Sequence, residues 1–362
     1  MKIFLDIGHP AHVHYFRNFI KIMLDKGHDF FISARNKEVS HTLLDKYSIA
    51  YFDRGQGASD ISGKFSYLIK TDRILYKKAK YFKPDLFLSF ASPYLAHISK
   101  LLRKPHISFT DTEKARLGII SFAPFTDCIL TPASFRSDFG GKHIRFNGFM
   151  ELCYLYPGYF KADINIPGEL NIKKDEQFAL LRFVSWGASH DIGESGINDK
   201  NKIILVRELS KRMRVLISAE KRLPPEIESF RIRISPEKIH DVLSFASICI
   251  SEGATMASEC AMLGTPVVYI NTLSAGTLKA QEEYGLLYGF RNLKDANPKI
   301  DEIISQPDIK FRFEQKRKKM LSEQIDVTRF MVWFVENYPE SFRIMKEDPE
   351  YQKRFGGLGT GD

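Results

Sequence analysis

The sequence predicts an α/β fold of two Rossmann-like domains, and three observations carry that prediction. Short apolar runs alternate with amphipathic helical stretches from the first residues on. The alternation fades over residues 154–174, where Pro157, Gly158, Pro167 and Gly168 stand among few apolar positions, and then restarts. The chain is also 362 residues long, more than one hydrophobic core usually serves.

Residues 3–7 read as a buried strand. Phe16, Phe19, Ile20, Met23 and Leu24 follow at helical spacing, and Lys26-Gly27-His28 closes that helix. Residues 30–32 form the next strand, 42–46 a helix and 49–52 an extended segment. Phe65, Leu68, Ile69, Leu75, Ala79 and Phe82 mark a longer amphipathic helix that ends at Lys83-Pro84-Asp85. Strands are expected at 86–90, 106–109 and 128–130, with a helix over 94–102. This β-α-β order implies a parallel sheet covered by helices on both faces. In the second half, strands are expected at 178–184, 215–218, 248–251 and 266–270. Helices are expected at 202–212, 239–246 and 255–263. A last helical stretch, about 311–338, could pack back onto the first half. The domains are therefore 1–155, a linker at 156–174, 175–335, and a C-terminal helix and tail at 336–362, frayed from Gly356 on.

Hydrophobic residues make up 44% of the chain and charged residues 27%, which excludes wholesale disorder. The net charge of +9 suits anionic partners: nucleotides, phosphates, nucleic acid or an anionic membrane. Cys128, Cys153, Cys249 and Cys260 have no C-x-x-C spacing, so they read as buried thiols in a reducing cytosol. The opening run is too short for a signal peptide's apolar region, and no stretch is long enough to span a bilayer. A cytoplasmic protein is expected, with peripheral contact at the inner face of the membrane as an option. The basic stretches 77–83 and 310–319 are either solvated helix faces or that contact. They lack the aromatic interleaving of a nucleic-acid module, so no nucleic-acid partner is expected.

Four strand-end stretches could carry chemistry. In Gly8-His9-Pro10-Ala11-His12-Val13-His14, Gly8 allows a tight turn. His9 and His14 are the candidate acid–base groups, against a reading as surface or capping histidines. No carboxylate or cysteine joins them at metal-ligand spacing, so no metal is expected. Ser251-Glu252-Gly253-Ala254-Thr255 leads from a strand into a helix, whose first amides favour a phosphate. Glu259 stands one turn past Thr255, where a carboxylate could accept from a ribose diol. The plain alternative is a capped helix with a solvated glutamate. Arg182, Ser185 and His190 lie at the end of the second domain's first strand, in a small-residue loop that suits a diphosphate. Asp111 and Glu113, in Thr110-Asp111-Thr112-Glu113-Lys114, offer an acid and a base, a site for a cation, or a charged helix cap.

These stretches resemble the GT-B superfamily, in which two Rossmann-like domains face each other across a cleft. The opening, from Asp6-Ile7-Gly8-His9-Pro10 to Lys26-Gly27-His28, resembles the start of its nucleotide-sugar enzymes. Ser251-Glu252-Gly253-Ala254-Thr255 through Glu259 to Gly264-Thr265-Pro266 resembles its nucleotide-binding helix. Over about residues 1–335 the chain resembles a bacterial and archaeal family of unknown function, similar to UDP-N-acetylglucosamine 2-epimerase and to the UDP-N-acetylglucosamine transferase of peptidoglycan synthesis. The resemblance implies diphosphate binding at Gly253, Ala254 and Thr255, and ribose binding at Glu259. It puts Arg182 and His190 beside the diphosphate, and Asp111 and Glu113 among first-domain carboxylates. Where the epimerases carry His-Arg-Arg-Glu-Asn and Glu-Ala-Gly, this chain has Ser189-His190-Asp191 and Glu113-Lys114-Ala115.

The expectation is a glycosyltransferase that needs no cofactor and no metal. It would use a nucleotide diphosphate sugar, UDP-linked, and a glycan or lipid-linked acceptor in cell-surface glycan synthesis. The alternatives are a 2-epimerase or hydrolase of the same fold, and a non-catalytic nucleotide-sugar binding protein.

Overall fold

A computed structural model describes residues 1–58, 60–113, 116–173, 176–184, 196–273 and 275–356. The chain divides into two compact units: Met1–Tyr154 with Gln324–Asp362, and Leu155–Glu323. The division differs from the sequence expectation in two places. Residues 156–174 belong to the second unit rather than to a linker, because Ile166 and Ile172 are buried beside Phe178 and Leu180. From Gln324 on the chain belongs to the first unit, where Phe330 and Phe334 are fully buried.

The first unit holds β1 (Lys2–Ile7), β2 (Asp29–Ala34), β3 (Phe52–Asp53), β4 (Leu86–Phe90), β5 (His106–Phe109), β6 (Cys128–Pro132) and β7 (His143–Phe146). Among the described residues they form one parallel sheet in the order β3-β2-β1-β4-β5-β6-β7. β4, β5 and β6 are buried along their whole length, as parallel strands covered on both faces must be. On one face Phe4 and Phe87 pack against Leu75, Ala79, Leu95 and Ile98. On the other, ring contacts run from Phe16 to Phe109, Phe146 and Phe330, with centroids 6.0–6.2 Å apart. The last of these rings comes from the returning helix Val327–Glu336.

The second unit holds β8 (Phe178–Phe183), β9 (Arg214–Ala219), β10 (Ile248–Ser251), β11 (Val267–Ile270) and β12 (Tyr288–Phe290), parallel in the order β12-β11-β10-β8-β9. Both orders reverse once, between β1 and β4 and between β8 and β10. Such a reversal splays the flanking connections apart and opens a crevice beyond the strands' carboxyl ends.

Several local readings change. The helical stretch 311–338 is two helices, Ile309–Glu323 and Val327–Glu336. Asp326 separates them: its side chain accepts from the Arg329 N–H and starts the second helix. The extended segment at 49–52 reduces to β3, and β7 and β12 have no counterpart in the sequence reading. Gly356 pairs with Ile325 instead of fraying, and 357–362 lie outside the described residues. The four cysteines are buried free thiols. No helix among the described residues is long and apolar enough to cross a membrane.

Candidate functional site

The two reversal points carry the candidate residues. After β1 the chain turns through Gly8 and His9 into the helix Pro10–Asp25. Pro10 suits a first helical position, where its missing N–H costs nothing. His9 caps this helix: its Nδ1 accepts from the Ala11 N–H at 3.2 Å. His12 Nδ1 accepts from the Gly8 N–H at 3.2 Å, and its ring lies 4.6 Å from that of Phe90. Burial, then the charges of His9, Lys37 and Arg54, hold His12 well below the ordinary histidine range. It is therefore neutral near pH 7, with its remaining proton on Nε2.

Beneath this turn lies an ion pair that the sequence reading missed. Asp6, buried in β1, accepts from Arg54 Nε at 2.8 Å and Nη2 at 3.2 Å, from Ser33 Oγ at 2.7 Å and from Ser92 Oγ at 2.7 Å. Arg54 also donates to the Tyr67 hydroxyl at 2.9 Å and lies over the Tyr94 ring. Burial works against the Arg54 charge, and the Asp6 carboxylate more than offsets it, raising the guanidinium above its ordinary value. A carboxylate inside an apolar strand was the available signal, since buried charges are paired.

His14 does not join His9 and His12. It is buried, with its ring stacked on Tyr154 at 5.0 Å. Two residues are about 200° of helix rotation, so His12 and His14 face different ways. Asp111 is half-buried just past β5. Burial pushes its carboxyl up to about 6, with hydrogen bonds from Thr112 and Tyr15 opposing. Tyr15 packs near His12, ring centroids 6.2 Å apart. His9, His12, Tyr15 and Asp111 thus gather beyond the carboxyl ends of β1 and β5. Glu113 turns elsewhere and accepts from the Arg136 N–H at 2.7 Å.

The second reversal point is barer. Gly253 starts the helix Ala254–Leu263 with no described side chain capping it. Thr255 is exposed, while Gly253 and Ala254 are half-buried. A Cβ at Gly253 would stand 3.1 Å from Val184 Cγ1, so glycine permits the close approach of β8. The amides of Ala254 and Thr255 lie within the first turn, beyond the reach of the intrahelical ladder. The Ser251 hydroxyl accepts from the Gly253 N–H at 3.0 Å and donates to its carbonyl at 2.8 Å.

Glu252, also missed, is fully buried. Its carboxylate accepts from the Val184 N–H at 3.0 Å and the Ile197 N–H at 2.5 Å. Glu252 thus joins Val184, just past β8, and Ile197 to the end of β10. Ser185 and His190 lie outside the described residues. Arg182 donates to Ser218 Oγ at 3.0 Å and pairs with Glu220. Glu259 is buried rather than solvated, its carboxylate 2.9 Å from His240 Nε2. His240 had no sequence signal, lying 19 positions away on another helix.

Two parallel sheets that each reverse once, with a strand-to-helix turn at each reversal, are the architecture of the GT-B class. The chain is similar to Methanocaldococcus jannaschii UDP-GlcNAc 2-epimerase in complex with UDP-GlcNAc and UDP, with a TM-score of 0.62 at 11% identity, over 84% of this chain and 93% of that one. It is similar to SsfS6, a glycosyltransferase of Streptomyces sp. SF2575, with a TM-score of 0.58 at 12% identity, over 93% of this chain and all of that one. The chain belongs to the family described as protein of unknown function, DUF354, which matches residues 1–340. Another relative, the uncharacterized protein MJ0665 of M. jannaschii, is 25% identical over 281 residues, which are 74% of this chain and 81% of that protein.

Proposed function

We propose that the protein is a glycosyltransferase that takes a nucleotide diphosphate sugar, UDP-linked, and passes the sugar to a glycan or lipid-linked acceptor in cell-surface glycan synthesis. One observation carries this reading: at the helix start Gly253-Ala254-Thr255, beside the sheet's reversal point, no described side chain caps the Ala254 and Thr255 amides, and Thr255 is exposed. Such amides, reinforced by the helix dipole, hold phosphate oxygens. In this reading the second unit binds the nucleotide and Glu259, oriented by His240, meets the ribose. The first unit receives the acceptor.

The acceptor hydroxyl gives its proton to Asp111, whose carboxyl, raised to about 6, suits a base near neutral pH. The oxygen attacks the anomeric carbon as the bond from that carbon to the diphosphate breaks. His12, a neutral donor, orients the acceptor. The helix amides and Arg182 stabilise the charge on the departing diphosphate, a task such fixed dipoles perform without reorganisation.

The test is binding and turnover with UDP-GlcNAc and UDP-glucose. Thermal stabilisation by one of them is expected, with free UDP released only when an acceptor is added. Thr255→Asp places a carboxylate at an exposed helix start, which favours the helix but repels a diphosphate. It should leave the fold intact and weaken binding by about tenfold or more. Unchanged affinity in Thr255→Asp would remove the diphosphate from this turn. Isomerisation of the nucleotide sugar without acceptor would replace transfer by 2-epimerisation, and stabilisation without turnover would leave a binding protein.

A further inference from the structure

The first unit carries a surface that neither turn uses. Helices Ile61–Phe82, Pro93–Leu102 and Arg116–Phe122 pack side by side on one face of its sheet. His97, on the middle helix, ties them together. Its Nδ1 lies 2.9 Å from Asp72 on the first helix, and its Nε2 lies 3.1 Å from the Ser121 carbonyl on the third. Both of these partners accept, so the ring donates from both nitrogens and is held charged, consistent with the raised value that Asp72 gives it.

The outer side of this layer is apolar to a degree the rest of the unit is not. Phe65, Leu101, Leu117 and Ile120 are 65–85% exposed. Ile69 is also exposed one turn from Phe65, and Phe125 stands edge-on to His97 with ring centroids 4.8 Å apart. Single exposed apolar residues are ordinary, but a group on three adjoining helices marks a contact surface.

The charge of the same layer is one-sided. Across the three helices and the Arg103-Lys104 turn, ten lysines and arginines stand against one acidic residue, Asp72, which His97 already engages. The whole chain has 53 basic against 44 acidic residues, so the imbalance is local. A twofold contact between copies would set these cations against one another. A surface with anionic headgroups accepts them, while the alkyl stems of lysine and arginine and the exposed Leu and Ile side chains enter the acyl boundary.

We propose that this three-helix face is a membrane-docking surface for anionic phospholipid bilayers, with Leu117 and Ile120 as inserted anchors and Lys100, Arg103 and Lys104 among its headgroup contacts. The proposal is independent of the nucleotide-sugar reading, since its readout is lipid binding.

The experiment is co-sedimentation of the full chain with vesicles of phosphatidylcholine alone and of phosphatidylcholine mixed with phosphatidylglycerol. Binding to the mixed vesicles only, weakened by salt, is expected. Leu117→Ser with Ile120→Ser should lower that binding by about tenfold or more, with an unchanged melting temperature because both side chains are exposed. Arg103→Glu with Lys104→Glu should lower it as well and supplies a second test should the first pair fold poorly. Absence of binding to the mixed vesicles, or equal binding by a folded variant of either pair, overturns the proposal. So does a dimer in solution that the serine pair dissociates, which would make the face a contact between copies.

Discussion

The turns after β1 and β10 each flank the reversal point of their sheet and are built in opposite ways. The first is filled with side chains: His9 caps the helix, His12 holds the Gly8 amide, and the Asp6–Arg54 pair lies beneath. The second presents backbone, with Gly253 leading a helix that no described side chain caps toward an exposed Thr255. A turn crowded with titratable groups can move protons but offers few spare donors to an anion. A turn of bare amides can hold a phosphate but has no base. The division of labour proposed above, acid–base chemistry in one unit and diphosphate binding in the other, follows from this contrast.

The contrast breaks most sharply at Asp6. Asp6→Ala leaves Arg54 buried without its carboxylate and should cost about 3–5 kcal/mol, measured by urea unfolding at neutral pH. A loss under about 1 kcal/mol would mean that the first turn does not depend on its side chains. Glu252 tests the other side. Glu252→Ala removes the acceptor of the Val184 and Ile197 amides and should cost about 2–3 kcal/mol. It should also weaken nucleotide binding by freeing Val184, which packs against Gly253. If stability falls while affinity holds, the link is structural only.

The smallest effect is a pH dependence. Asp111 has its carboxyl raised to about 6 from an ordinary 3.8, so the folded state holds its proton at pH values where the unfolded chain has lost it. Its contribution therefore falls as pH rises from about 4 to about 6 and is level above. Asp111→Asn should flatten that segment of a plot of melting temperature against pH. An unchanged plot would place the carboxyl in ordinary solvent.

Much of the fold was legible because its cues are local. β10 is read to the residue, since Ile248-Cys249-Ile250 is a continuous buried run between a helix end and a glycine. The helix after it ends where Gly264 adopts a left-handed φ of 74°, as a glycine there suggests. β7 and β12 escaped because short strands at a sheet edge alternate too weakly to stand out. The site was legible only in part. Gly8, Gly253 and the turns themselves follow from strand-to-helix transitions. The groups that give these turns their chemistry depend on partners far along the chain: Arg54 for Asp6, Ile197 for Glu252 and His240 for Glu259. Three clustered histidines suggested one site, and helix rotation sends His14 to another.

The return of the chain to the first unit has a consequence for biosynthesis. Thr328 donates to the Cys153 carbonyl, and the Ile325 amide to that of Asn147, so the segment just after β7 is held by residues synthesised after the whole of the second unit. The second unit is contiguous, Leu155–Glu323, and has all five described strands of its sheet available before Gln324 is synthesised. The unit that begins first is therefore completed after the second, and until Phe330 has been synthesised the row of Phe109 and Phe146 lacks its cover. A nascent chain stalled before Val327 would present that aromatic row to chaperones, although its downstream half could already be folded.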